Sequence, residues 1–317
     1  MTYAHAEKEF EYAGHAGSVY TLALYDAHTF LSAGADGVVA LWDASTGANI
    51  RAVLKAPLPV YALCYMPDRQ LLAVGQNDGG IHFFDMAAGK LARSVRAHTR
   101  AVFALLYLPH TGLLAAAAGD GSFSLWNPDT AECLLTAKVS DNNLRALALC
   151  PLQQHLAVGG SDGRIRVYDA QALKPLHDFA AHASSVFTLA YGPDGRYLFS
   201  GGRDAHLRTW DRVERYGPTA DVLAHNFAIN AADFSADGRY LATASMDKTL
   251  KLWRASNLKL LKVIDRRRNQ NHSTGLNKVL WLPPAPGAQE NSYRLITCSD
   301  DRLIMQWRVQ FLPQALE

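Results

Sequence analysis

A chain of 317 residues that is 49% hydrophobic can bury a large core, and its 19% charged residues suit a water-facing surface. The formal net charge is only +2, so no global field draws it to nucleic acid or to an anionic membrane. The sequence has no apolar run long enough to cross a membrane, and MTYAHAEKEFEY lacks the order of a secretory signal, so the expected address is cytoplasmic. Cys64, Cys133, Cys150 and Cys298 show no C-x-x-C spacing and are expected to be buried reduced thiols.

In chain order, Val19 to Leu24 opens a first strand, Thr29 to Gly34 a second, and Val38 to Trp42 a third. Ala35-Asp36-Gly37 is the turn between the last two, since Gly accepts positive φ without steric cost. Ser45-Thr46-Gly47 is the next turn, and Ile50 to Leu54 the outer strand. No segment holds a helical period over a useful length, so the chain is expected to be all-β.

The same frame then recurs. Its clearest copy is LFSGGRDAHLRTWD, from Leu198 to Asp211, with Ser200, Gly202, Asp204 and Trp210-Asp211 in fixed order. The turn Asp falls at Asp36, Asp78, Asp120, Asp162, Asp204, Asp247 and Asp301, in steps of 42, 42, 42, 42, 43 and 54 residues. Self-similarity at this period means a closed array of repeats, here seven, in a single expected domain spanning 1–317.

These residues resemble the WD40 repeat family. The resemblance is carried by Trp42-Asp43 and Trp210-Asp211, with the degenerate Phe84-Asp85, Trp126-Asn127, Tyr168-Asp169, Trp253-Arg254 and Trp307-Arg308. Gly14-His15, Ala97-His98, Ala181-His182 and Ala224-His225 go with them. It implies a seven-bladed β-propeller of four-stranded antiparallel blades. It also implies that Glu9 to Ala13 completes the last blade, because the chain ends soon after Leu303 to Val309.

In that family a His, a Ser or Thr, the turn Asp and the Trp form a structural network. The resemblance assigns it to His15, Ser32, Asp36 and Trp42; to His182, Ser200, Asp204 and Trp210; to His225, Thr243, Asp247 and Trp253; and to His272, Thr297, Asp301 and Trp307. Unit two has Ala56, Val74 and Phe84 instead, unit four has Ser140, Val158 and Tyr168, and unit three has Ala116 at the hydroxyl position. Those blades are expected to rest on apolar packing.

Two insertions break the period, both in unit seven. One brings Arg266-Arg267-Arg268 and is expected on the face of the Asp turns; the other, Pro283-Pro284-Ala285-Pro286-Gly287, is expected opposite. A solvated loop is the plain reading of the arginines, and three of them are too few for a nucleic-acid groove.

Other motifs carry little chemistry. Gly159-Gly160-Ser161-Asp162-Gly163 matches G-x-S-x-G, yet a strand follows where a nucleophile elbow needs a helix. The twelve histidines show no metal-binding spacing, so neither metal nor cofactor is expected. Asn271-His272-Ser273 fits a glycosylation acceptor, which the missing secretory signal argues against.

By resemblance, the residue after each inner strand's leading aliphatic reaches the mouth of the central channel. These are Tyr20, Tyr61, Phe103, Arg145, Phe187, Asn230 and Asn277, with Arg203 among the turn residues facing the same side. Aromatics and Arg dominate binding hot spots. The expected function is a non-catalytic scaffold that binds a protein or peptide there through an apolar or basic side chain, with Arg266 to Arg268 as a charged rim. Packing of the rings between blades is the plain alternative. A chromatin-type or nucleic-acid adaptor using the Arg loop and an enzyme at the channel mouth are the rivals; only Asp300 among the mouth residues is acidic, and none is His.

Overall fold

The computed structural model describes residues 2–152, 155–284 and 291–313. They form seven four-stranded antiparallel sheets, arranged as the blades of a propeller. Blade one consists of Val19–Leu24, Thr29–Gly34, Val38–Asp43 and Asn49–Lys55, side by side in chain order from the channel outward. The next five blades repeat this order, their inner strands being Val60–Met66, Val102–Leu108, Leu144–Leu149, Val186–Tyr191 and Ile229–Phe234. Strand direction alternates, so the turn between second and third strands shares one face of the ring with the links between blades. The other two turns of each blade share the opposite face.

Burial falls from the second strand outward. Leu71–Gln76 is buried at every position, whereas Lys90–Arg96 in the same blade is exposed along most of its length. The core lies between blades: Leu31 and Val39 of blade one pack with Val60, Leu72 and Phe84 of blade two. Each large aliphatic side chain removed from water contributes roughly 1.5–3 kcal/mol, and the ring multiplies that contribution around its circumference.

The last blade joins the chain ends. Leu276–Leu282, Ser292–Ser299 and Ile304–Pro313 are completed by Thr2–Tyr12, paired antiparallel from Thr2↔Pro313 to Tyr12↔Ile304. The closing strand is therefore longer than Glu9 to Ala13, since the register continues past a bulge between Lys8 and Phe10.

Three further expectations are corrected. Arg266–Asn269 is one helical turn rather than a loop, because the Asp265 side chain accepts from Arg268 N and caps it. Cys133 is exposed and Cys64 half-buried, although Cys150 and Cys298 are buried as expected and all four thiols are free. The blades lacking the full set of network residues do not rest on apolar packing alone, as detailed below. Residues 285–287 of the Pro-rich insertion lie outside the described residues. Among the described residues, no helix is long and apolar enough to cross a membrane.

Candidate functional site

The blades are held by a polar chain. In blade one, Trp42 Nε1 donates to Ser32 Oγ at 2.7 Å, Ser32 Oγ meets His15 Nε2 at 2.7 Å, and His15 Nδ1 meets Asp36 Oδ2 at 3.0 Å. The same links join Trp210, Ser200, His182 and Asp204, then Trp253, Thr243, His225 and Asp247, and then Trp307, Thr297, His272 and Asp301. Burial lowers the pKa of His182 and His225, which favours the neutral ring, and each ring bridges the turn Asp at Nδ1 and the hydroxyl at Nε2. Burial alone would raise Asp204; hydrogen bonds from Arg208 and His182 instead hold it at about 2.

The three divergent blades recruit a residue that the sequence reading missed, from the third strand, across from the hydroxyl position. Ala116 pairs with Ser124, whose Oγ meets His98 Nε2 at 2.8 Å and accepts from Trp126 Nε1 at 2.6 Å. Val158 pairs with Arg166, whose Nη2 donates to Asp162 at 2.7 Å beside Ser140 Oγ at 2.8 Å. Val74 pairs with His82, bound to Gln76 and to Ser94. The signal was available: each lies four residues beyond the turn Asp. A buried carboxylate or indole N–H needs a partner, and the facing strand is the nearest place to supply one.

The mouth residues share one local cause. Every inner strand is bulged at its start, and the register steps from Val19 to Thr21, Val60 to Ala62, Val102 to Ala104, Leu144 to Ala146, Val186 to Thr188, Ile229 to Ala231 and Leu276 to Lys278. The skipped residues are Tyr20, Tyr61, Phe103, Arg145, Phe187, Asn230 and Asn277. A bulge re-aims its extra side chain, and seven bulges aim seven side chains at one opening. That opening is a cavity of about 500 Å³ lined by all seven, together with Met246, Gly275 and Asp300.

Within it, Tyr20 and Tyr61 stack at 5.0 Å with their planes 4° apart, and Tyr61 meets Phe103 edge-on at 5.5 Å. Arg145 continues the row, its guanidinium 4.3 Å from the Phe103 centroid and 5.3 Å from that of Phe187. Arg145 Nε donates to Ser161 Oγ at 3.2 Å, and no carboxylate pairs with the cation among the described residues. Burial lowers the Arg145 pKa, and the like charge of Arg203 adds to the effect. One face of Phe103 and one of Phe187 thus already meet a cation from within. A cation of the chain itself stands where a basic ligand side chain was expected.

The remaining candidates are placed differently. Asn230 Nδ2 donates to Leu276 O at 2.8 Å, and Asn277 Nδ2 to Val19 O at 3.0 Å and to Asp300 at 2.8 Å, so both tie neighbouring blades together. Arg203 stands exposed on its turn. Arg266, Arg267 and Arg268 are exposed on the mouth-side link into blade seven, where Arg266 borders a separate cavity with Glu11 and Asp301. Phe227 and Met246, 64% and 55% exposed, were absent from the expected binding set although they rise on adjoining segments of blade six. Phe227 could have been noticed as the aromatic residue two positions past the His position, where the other blades carry Gly17, Leu58, Arg100, Asn142, Ser184 and Thr274.

The accidental motifs resolve structurally. Ser161 sits in a tight turn between strands His155–Gly160 and Arg164–Asp169, so there is no elbow. Asn271 is 3% exposed, with Nδ2 donating to Lys248 O and Ile264 O, which removes it from the surface a glycan needs. Among the described residues, no group of three or more His, Cys, Asp or Glu side chains could hold a metal.

Fold and repeat chemistry together define a seven-bladed repeat propeller. The family model described as "WD domain, G-beta repeat" matches residues 6–43, 131–169, 173–211 and 217–254. The model of the WD40 domain of anaphase-promoting complex subunit 4 matches residues 53–110. The chain belongs to the WD40 repeat family, whose propellers are generally protein-interaction scaffolds and typically not enzymes. No curated protein matches the chain.

Proposed function

We propose that the chain, as a single domain spanning residues 1–317, is a non-catalytic interaction platform that binds a protein or peptide segment at the channel mouth. The carrying observation is the unpaired Arg145 cation held between Phe103 and Phe187 at the edge of an open cavity. A partner that lays an apolar side chain on Tyr20, Tyr61 and Phe103 and presents a carbonyl or carboxylate to Arg145 satisfies both demands of the site. The bulged strands are fixed by the ring, so the mouth is preorganised and little ordering cost falls on the platform itself. The match of residues 53–110 to the domain of a complex subunit supports a role inside a multiprotein assembly.

The test is a pull-down from source-cell lysate with mass spectrometry, comparing wild type with a folded Tyr61→Ala/Phe103→Ala/Phe187→Ala variant. A stoichiometric partner retained by the wild type should be lost from the variant. With that partner purified, Phe103→Ala or Phe187→Ala alone should cost about 1–3 kcal/mol of affinity. Unchanged capture by the triple variant would reduce the aromatic row to blade packing.

A further inference from the structure

The face opposite the mouth carries a second cavity of about 530 Å³, formed between blades five and six. Tyr197 and Phe199 of blade five and Phe234 and Tyr240 of blade six line it, with Phe199 and Phe234 edge-to-face at 4.9 Å. Its charged lining is Arg239, Arg254 and Asp237 on the blade-six side and Asp194 on the blade-five side.

The repeat itself shows what is missing there. In blade five, Tyr197 pairs with Asp211, and Arg196 donates from Nε and Nη2 to Asp211 Oδ2 at 3.0 and 2.9 Å. In blade six the corresponding pair is Tyr240↔Arg254, and Arg239 stands where blade five has Arg196. Arginine has replaced the carboxylate that closes the blade-five arrangement. Arg239 turns away to Asp237 and the Tyr293 hydroxyl. Arg254 is half-buried and has no side-chain hydrogen bond or ion pair among the described residues. Asp237 also lines the cavity, but Ser235, Arg239 and Tyr293 occupy it and, against the effect of burial, hold it at about 2.

We infer that this cavity is a second docking site, for a peptide segment of a partner protein that carries a bulky apolar side chain next to an acidic residue. The apolar group fills the space over Phe199 and Phe234. The carboxylate takes the place beside Arg254 and Arg239 that Asp211 takes beside Arg196. Charge complementarity selects an acidic segment, because the half-buried Arg254 is the cation of the lining without a carboxylate partner among the described residues, whereas Arg239 and Asp237 pair with each other and Asp194 lies exposed on the blade-five rim, accepting from Arg196 N. With a site on each face, the ring can hold two partners at once.

The experiment pans a phage-displayed random heptapeptide library against the immobilised full chain and measures the enriched peptides, as synthetic fluorescein conjugates, by anisotropy. Arg254→Asp is the decisive variant, since it replaces the unpaired cation with the carboxylate that blade five carries as Asp211 without opening the core. Arg254→Gln removes only the charge, and a thermal melt verifies that both variants fold. Expected are peptides with Asp or Glu within two positions of Phe, Trp or Leu, bound at least tenfold more weakly by Arg254→Asp and several-fold more weakly by Arg254→Gln. The inference is overturned if no peptide enriches, if the enriched peptides are basic or purely apolar, or if folded Arg254→Asp binds them as wild type does.

Discussion

Ser124 shows how a single hydroxyl governs a blade. It stands between Trp126 Nε1 and His98 Nε2, both buried, although the repeat's usual hydroxyl position in that blade is Ala116. Ser124→Ala should leave both ring nitrogens without a partner and cost about 1–3 kcal/mol, as much as Ser200→Ala in blade five. Urea unfolding monitored by tryptophan fluorescence measures both. Moving the hydroxyl across the strands, as Ala116→Ser with Ser124→Ala, should recover most of the loss. A cost for Ser124→Ala near zero would mean that water, not Ser124, serves these groups. Residue types at the repeat spacing were readable in the chain wherever His, Ser or Thr, Asp and Trp all survive. Ser124, Arg166 and His82 were not, because their relation to the vacant position is cross-strand. That relation exists only once the second and third strands are paired.

At the level of the hairpin, the turn between second and third strands always places one residue at positive φ. Gly37, Gly79, Gly121 and Gly163 fill it in the first four blades, and Ala205, Lys248 and Arg302 in the last three. The difference follows the links between blades. After blades one to four, the step from the Trp position to the next His position is 14 residues; after blade five it is 15 and after blade six 19. In the short links the backbone lies over the turn, and a Cβ on Gly163 would come within 2.3 Å of His182 O. Gly163→Ala should therefore cost more than the ~1–2 kcal/mol of a left-handed residue alone. Ala205→Gly, at a turn that already tolerates a Cβ, should change stability by less than about 1 kcal/mol and in the stabilising direction. Thermal melts of the two variants check the contrast, and equal destabilisation by both would refute it. The hairpins themselves were legible, because Asp-Gly between short apolar runs has a local meaning. The bulges that aim Tyr20, Phe103 and Arg145 into the mouth were not, since Val19-Tyr20-Thr21 looks like any strand until its register against Ala33 and Gly34 is known.

Six blades are completed by neighbouring sequence; the seventh depends on the two ends of the chain meeting. Thr2–Tyr12 covers the outer edge of Ile304–Pro313, and Tyr12 reaches from there into the core between blades seven and one. Its ring meets Phe30 at 5.2 Å and Trp42 at 5.4 Å, both edge-on, and its hydroxyl donates to Gln306 Oε1 at 2.6 Å. The closure thus joins backbone pairing, aromatic packing and a buried hydrogen bond in one strand. Removing residues 1–12 should uncover an unpaired strand edge and a hole beside Trp42 at once. An exposed edge is a template for another chain, so the truncated protein should associate in a concentration-dependent way and melt at a lower temperature. Light scattering coupled to size exclusion, with a parallel thermal melt, reads both effects. A synthetic peptide of residues 2–12 added in trans should restore the monomer, because it replaces the lost pairing without altering the rest of the ring. Tyr12→Phe separates the contributions: it keeps the strand and the ring packing but orphans Gln306 Oε1, and should cost about 1–2 kcal/mol with no change in association. A truncated chain that stays monomeric with an unchanged melt would show that the six locally completed blades hold the propeller closed without the strand that joins its ends.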